Sequence, residues 1–264
     1  MTTVVAAKFL ETQLRFTEAS GEDSSFKHLP MPGIGAAGQR CLLEGNPSTT
    51  FDGGVTNAAQ VVGWYMRLGG DAEQARRLLV DTCGCHAPSI TKPINGTLAA
   101  LREKCSGFVM DGTPGAPAPA PAAAAGPETM VYARWLSRQL AWADTLDSNP
   151  VPGLGSVGRG RMVAAGVDSP AKLIGQFMIF NGHEEDFVEW CVQTVGLRSQ
   201  DVRGEKKLLA GIKAKLAAFC YDEPQAKQVR YSALEDAEDF ERTYYGDGFS
   251  SATGRMSMQP SKMS

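Results

Sequence analysis

The chain has 264 residues, 43% hydrophobic and 21% charged, with 26 Lys and Arg against 29 Asp and Glu. That composition supplies enough apolar side chain for a packed core and excludes wholesale disorder. No apolar run approaches the ~18 residues that cross a bilayer, and Met1–Lys8 lacks the basic region and long apolar core of a secretory signal. With six unevenly spaced cysteines, the expectation is a soluble intracellular protein with reduced thiols and no membrane contact.

Taken in chain order, residues 1–26 form an acidic N-terminal arm, in which 3–16 read as a helix through Val4, Val5, Phe9, Leu10 and Leu14. A first block, 27–110, opens on Pro32-Gly-Ile-Gly-Ala-Ala-Gly38. This motif returns 120 residues later as Pro152-Gly-Leu-Gly-Ser-Val-Gly158. Val61-Val-Gly63-Trp-Tyr-Met66 matches Leu173-Ile-Gly175-Gln-Phe-Met178 at 112 residues, without a gap through Gly84 and Gly196. A third pairing sets Ile94-Asn-Gly96 and Cys105 against Leu209-Ala-Gly211 and Cys220, at 115. Three colinear blocks predict a tandem duplication, with eight extra residues in the turn-rich Gly45–Gly54 of the first copy.

Between the copies, 111–127 is rich in Pro, Ala and Gly, a polyproline-like spacer able to reach roughly 50 Å. Residues 128–148 read as a helix leading into the second block, with Val131, Trp135, Leu136 and Leu140 near one face. In that block, 149–220, an apolar run over 173–180 breaks at Asn181-Gly182. Glu184-Glu185-Asp186 then opens a second helix, where acids favour the positive end. Phe187, Trp190, Cys191 and Val195 give it a core-facing stripe, Gly196 stops it, and a last helix covers 204–220. The acidic arm 221–264 holds a further helix over 231–245 and a Ser- and Met-rich extended end. No segment alternates as a strand, so the expected class is all-α: two tandem small helical domains with helix-hairpin-helix elements, plus extended arms.

The candidate site is the second hairpin: Gly153, Leu154, Gly155 and Ser156, with Arg159 and Arg161 following. Glycines allow a tight turn between helices and leave backbone N–H groups at a helix start, where an anion such as a DNA phosphate is stabilised. A tight connection without any ligand produces the same pattern. The first hairpin, Gly33, Ile34 and Gly35, is a degenerate equivalent: Gln39 and Cys41 replace the two arginines, and Arg40 stands alone.

Residues 151–220 resemble barrier-to-autointegration factor, a family of small helical DNA-bridging proteins. The resemblance rests on Val151-Pro-Gly-Leu-Gly155, Gly166, Gly175-Gln176-Phe177, and Glu185-Asp186 with Glu189-Trp190. In the first block it is fainter, in Pro32-Gly-Ile-Gly35 and Asp81-Thr82-Cys83-Gly84. The resemblance implies a compact helical fold that dimerises, binds duplex DNA through the hairpin and offers a groove to LEM-domain partners; two copies in one chain imply a pseudo-dimer. The family's basic pair after the hairpin is here Gly160-Arg161 and Arg40-Cys41, so bridging through two competent faces is not expected. Such domains also occur in scaffold proteins of ciliary doublet microtubules. The loss of basic groups and the acidic arms favour that role, with tubulin and neighbouring axonemal proteins as partners and the axoneme as location. A nuclear, weakly DNA-binding protein is the alternative.

Cys83-Gly84-Cys85-His86 lacks the second ligand pair that zinc usually takes, and packing is the simpler reading of Cys83, as it is of Cys105 and Cys220. The three histidines, His28, His86 and His183, accompany no nucleophile, phosphate-loop or zinc-protease motif. The sequence therefore predicts no enzyme, no metal and no cofactor.

Overall fold

The computed structural model describes residues 2–12, 14–16, 26, 29–44, 55, 57–83, 91–111, 127–217 and 220–221. The segment holding the eight extra residues, the spacer residues 112–126, His28, Cys85, His86 and the acidic arm after Tyr221 lie outside the described residues. The described residues fall within one compact unit.

The structure is mostly helical, as expected. Its first half runs α1 (Thr2–Glu11), β1 (Leu14–Arg15), α2 (Ala36–Glu44), α3 (Ala58–Arg67), α4 (Ala72–Cys83), α5 (Thr91–Ser106) and β2 (Val109–Met110). The second runs α6 (Pro127–Ser137), β3 (Leu140–Ala141), α7 (Ser156–Ala164), α8 (Pro170–Ile179), α9 (Glu184–Gln193), α10 (Ser199–Val202), α11 (Leu208–Leu216) and β4 (Cys220–Tyr221). Among the described residues, no helix is long and apolar enough to cross a membrane.

The centre of the molecule is the crossing of α3 with α8. Each starts at a side-chain cap. Asn57 accepts the Gln60 N–H at 2.9 Å, and Ser169 accepts the Lys172 N–H at 3.2 Å, followed by Pro170, so one orphan donor of each first turn is satisfied. Val61, Val62, Tyr65 and Met66 are buried on α3, and Leu173, Ile174, Phe177 and Met178 on α8. Between them lie Gly63 and Gly175. A Cβ on Gly63 would meet Met178 Cβ at 2.7 Å and Gly175 O at 2.9 Å. One on Gly175 would meet Met66 Cβ at 2.9 Å and Gly63 O at 2.5 Å. Only glycine at both positions lets the two backbones touch.

Both crossing helices end in a pair of left-handed residues, Gly69 and Gly70 (φ 70° and 75°) after α3, and Asn181 and Gly182 (φ 56° and 73°) after α8. Each turn is covered by an aromatic ring from the opposite half. Trp142 lies over Gly70 and meets Tyr65 edge to face, with centroids 5.9 Å apart. Phe16 lies over Gly182 and meets Phe177 in the same way, also at 5.9 Å. Such pairs add about 0.5–1.5 kcal/mol each beyond the area they bury.

The strands were not anticipated. β1 pairs with β4, Leu14 opposite Cys220, and β2 with β3, Val109 opposite Leu140; both pairs are parallel and both join the two halves. At two residues each, they are too short for a period-two pattern to be read. They also shorten two expected helices. The one expected over 128–148 ends at Ser137, and the one expected over 3–16 ends at Glu11. In each case a lysine from the opposite end of the same half donates to the freed carbonyls. Lys215 donates to Trp135 O at 2.7 Å and Leu136 O at 3.2 Å, and also to Arg138 O. Lys104 donates to Leu10 O at 2.9 Å and Thr12 O at 2.5 Å. Lys215 also sits over the Trp135 ring and Lys104 over the Phe9 ring, at 5.4 and 5.7 Å.

These contacts correct the third sequence pairing. Lys104 and Lys215 do the same work 111 residues apart, which sets Cys105 against Leu216 rather than against Cys220. Cys105 is fully buried in α5, whereas Cys220 is a residue of β4, and the closing helix α11 covers Leu208–Leu216 rather than 204–220.

Candidate docking hairpin

The second hairpin is built where the chain from Val151 turns into α7. Leu154 N–H donates to Val151 O at 3.2 Å, and Gly153 takes φ 75°. A Cβ at Gly153 would meet Asp201 O at 2.6 Å and Leu208 N at 2.9 Å, so this glycine seats the hairpin against the connection from α10 to α11. Pro152 packs on Gly211 of α11, whose carbonyl accepts the indole N–H of Trp135 at 2.7 Å. Val151 and Leu154 are buried beneath.

Gly155 is the N-cap of α7 and brings no side chain to accept from the first-turn N–H groups, which leaves them to an outside acceptor. Ser156 and Arg161 are exposed. Arg159 is engaged on both sides: its Nε donates to Asp147 Oδ1 at 2.7 Å and its Nη1 to Leu154 O at 3.2 Å. Arg161 Nη1 donates to Gly196 O, closing the turn after α9.

Around the hairpin lies an open cleft of about 770 Å³. The sequence predicts Arg159 and Arg161 here; the structure adds Arg198, Lys206 and Lys207, which line the same cleft with Asp201. Arg198 is paired to Asp201 through two bonds of 2.8 and 3.0 Å. The three added cations were missed because they come from a connection some forty residues on, and only the close approach at Gly153 brings it in. The run Arg203-Gly-Glu-Lys206-Lys207 was the available signal. Two apolar side chains, Val131 and Val157, share the rim and are exposed.

The first hairpin has the same backbone. Gly33 takes φ 80°, Ile34 N–H donates to Met31 O at 3.2 Å, and Gly38 has Ile34 beside it as Gly158 has Leu154. Gln39 Nε2 donates to Ile34 O at 3.2 Å, the bond that Arg159 makes to Leu154 O. A neutral amide thus replaces the guanidinium, Cys41 stands where Arg161 does, and Gly35 and Arg40 are exposed. The turn is retained and most of the charge is gone.

Elsewhere, Asp144 is buried and accepts from Arg138 at 2.8 Å, from Ala141 N–H at 3.0 Å and from Asn149 at 3.0 Å. It shapes the loop that carries Asp147 to Arg159. His183 is the N-cap residue before α9, its ring nitrogen 3.7 Å from Asp186 Oδ2. Glu184 and Glu185 pair with Lys213 and Arg203 at 2.5 Å each, as helix-start acids. Burial pushes the Cys105 thiol up and the Cys191 thiol up to about 12, so neither is a nucleophile in the folded chain. Among the described residues, no group of three or more His, Cys, Asp or Glu is placed to hold a metal ion.

Residues 147–217 match the family model for barrier to autointegration factor. The matched segment begins at Asp147, the partner of Arg159, and runs through the hairpin to the end of α11. No curated protein and no solved structure matches the chain. The domain match suggests a non-enzymatic helical protein.

Proposed function

We propose that this protein is a non-enzymatic scaffold, a pseudo-dimer of two barrier-to-autointegration-factor-like units within one chain, which docks in the axoneme of ciliary doublet microtubules. The observation that carries the reading is the inequality of the hairpins. A protein that bridges two duplexes needs two cationic faces, whereas a docking block needs one oriented face and a rigid body behind it. The duplicated, internally two-fold body is supported by the reciprocal Gly63–Gly175 crossing, the matching lysines Lys104 and Lys215, and the crossed aromatic rings. The second hairpin is the docking face, toward tubulin or a neighbouring axonemal protein.

The test is the location of the tagged full-length chain through detergent extraction. A signal along cilia that survives removal of membrane and matrix is expected, and a nuclear signal released by nuclease would overturn the axonemal reading.

A second reading has an observation of its own. Arg159, Arg161, Arg198, Lys206 and Lys207 line one cleft beside an uncapped helix start, an arrangement that suits a duplex phosphate backbone. On this reading the protein binds duplex DNA without sequence preference at a single site. Affinity would fall with salt, with a slope of about −0.9 per phosphate contacted, and the double change Arg159→Glu, Arg161→Glu would abolish it. Binding unaffected by that change rejects the site.

A further inference from the structure

One contact outside the hairpins ties the two halves together at α7. Arg67, the last residue of α3 in the first half, reaches into the second half and engages three groups there. Its Nε donates to Gln176 Oε1 at 2.8 Å, its Nη1 to Gly166 O at 2.7 Å and its Nη2 to Ala165 O at 3.1 Å. Ala165 is the C-cap of α7, and Gly166 is the left-handed residue after it, with φ 76°. Arg67 therefore holds the far end of the helix whose near end is the cationic hairpin. A guanidinium also suits this place electrostatically, since the C-terminal end of a helix is its negative pole.

The position on α8 that matches Arg67 is Ile179, whose side chain has no donor. The position on α3 that matches Gln176 is Trp64. Arg67 thus ties the helix of the hairpin that keeps its arginines to the opposite half.

We propose that Arg67 is a positioning residue for the second hairpin, fixing α7 against the α3–α8 crossing so that Gly155, Arg159 and Arg161 are presented in one orientation. This rests on the reading of the second hairpin as the docking face. The first half then serves less as a second binding unit than as the mount of the second.

The experiment is hydrogen exchange on the full chain, comparing wild type with Arg67→Met, which keeps aliphatic bulk and removes all donors, and with Arg67→Lys. In Arg67→Met, exchange across α7 and the hairpin rises on the order of tenfold. The core of the α3–α8 crossing keeps its protection, and Arg67→Lys restores part of the loss at α7. Unchanged exchange at α7 would overturn the proposal. So would an equal rise at α7 and at the crossing, which would make Arg67 merely a stabilising residue. This readout needs no ligand and stands whichever partner the hairpin takes. A duplex-binding titration of the same variants separates the two readings: wild-type chain that fails to bind rejects the DNA reading alone. Binding by wild type that Arg67→Met leaves intact, despite loosened α7, rejects the positioning role.

Discussion

Gly63 and Gly175 face each other backbone to backbone, and each would place a Cβ within 2.9 Å of the other's carbonyl oxygen. The atoms in the way are main chain and the Cβ atoms of Met66 and Met178, none of which can swing aside. Gly63→Ala or Gly175→Ala should therefore force the helices apart and cost about 1–3 kcal/mol each. Gly160→Ala, in the exposed middle of α7 with nothing within 4 Å, should instead stabilise by about 0.5–1 kcal/mol. Denaturant midpoints measured on the three variants check both signs.

Lys215 makes a second prediction, through pH. Burial pushes its ammonium down to about 8 from an ordinary 10.5. Between those values the unfolded chain holds the proton more often than the folded one, so this group's contribution to stability rises with pH across that window. Lys215→Met leaves the last carbonyls of α6 without their donor and should cost about 1–3 kcal/mol at neutral pH. The gap between wild type and variant should then widen from pH 8 to pH 10. A gap that stays constant or narrows contradicts the buried, proton-shedding lysine.

On the DNA-binding reading, adding charge to the first hairpin should create a second anion-binding face. Gln39 already makes the bond to Ile34 O that Arg159 makes to Leu154 O, so the turn is ready for a longer cation. Gln39→Arg with Cys41→Arg should leave the melting temperature within a few degrees of wild type. If the second hairpin binds duplex DNA, the variant should also link two duplexes, seen as a slower, salt-sensitive complex in gel shift. No such complex, alongside wild-type binding at the second hairpin, would show that the backbone turn does not suffice.

The strand pairs predict that the halves are one folding unit. β1 with β4 and β2 with β3 each join one half to the other, and the buried α3–α8 crossing lies between them. Chains cut within 112–126 and expressed together should co-purify. Either piece alone should lose the cooperative unfolding transition of the whole, since its crossing helix would expose four large apolar side chains, each worth about 1.5–3 kcal/mol when buried.

Much of this was legible in the sequence because it is written in side-chain period and in glycine. The crossing helices announce themselves through Val61–Met66 and Leu173–Met178, and the break at Asn181-Gly182 falls where the backbone turns left-handed. The hairpins could be read because Gly33 and Gly153 have no substitute at positive φ. What escaped was carried by long-range contact. A two-residue strand has no pattern to show. The 115-residue pairing through Cys105 and Cys220 went astray because two cysteines are a weak register mark. The lysines that set the 111-residue register resembled any other surface cation until their acceptors were known. Arg198, Lys206 and Lys207 likewise belong to the hairpin only by proximity.

Gln39 and Arg159 make the same bond from the same place, yet one is neutral and the other charged. In a protein assembled from two identical chains, that difference could not exist, because any substitution at one hairpin would be copied at the other. In the proposed pseudo-dimer each position is encoded separately. A change that spoils one surface leaves its twin untouched, so one hairpin can be given over to support while the other keeps its chemistry, and the assembly gains a front and a back.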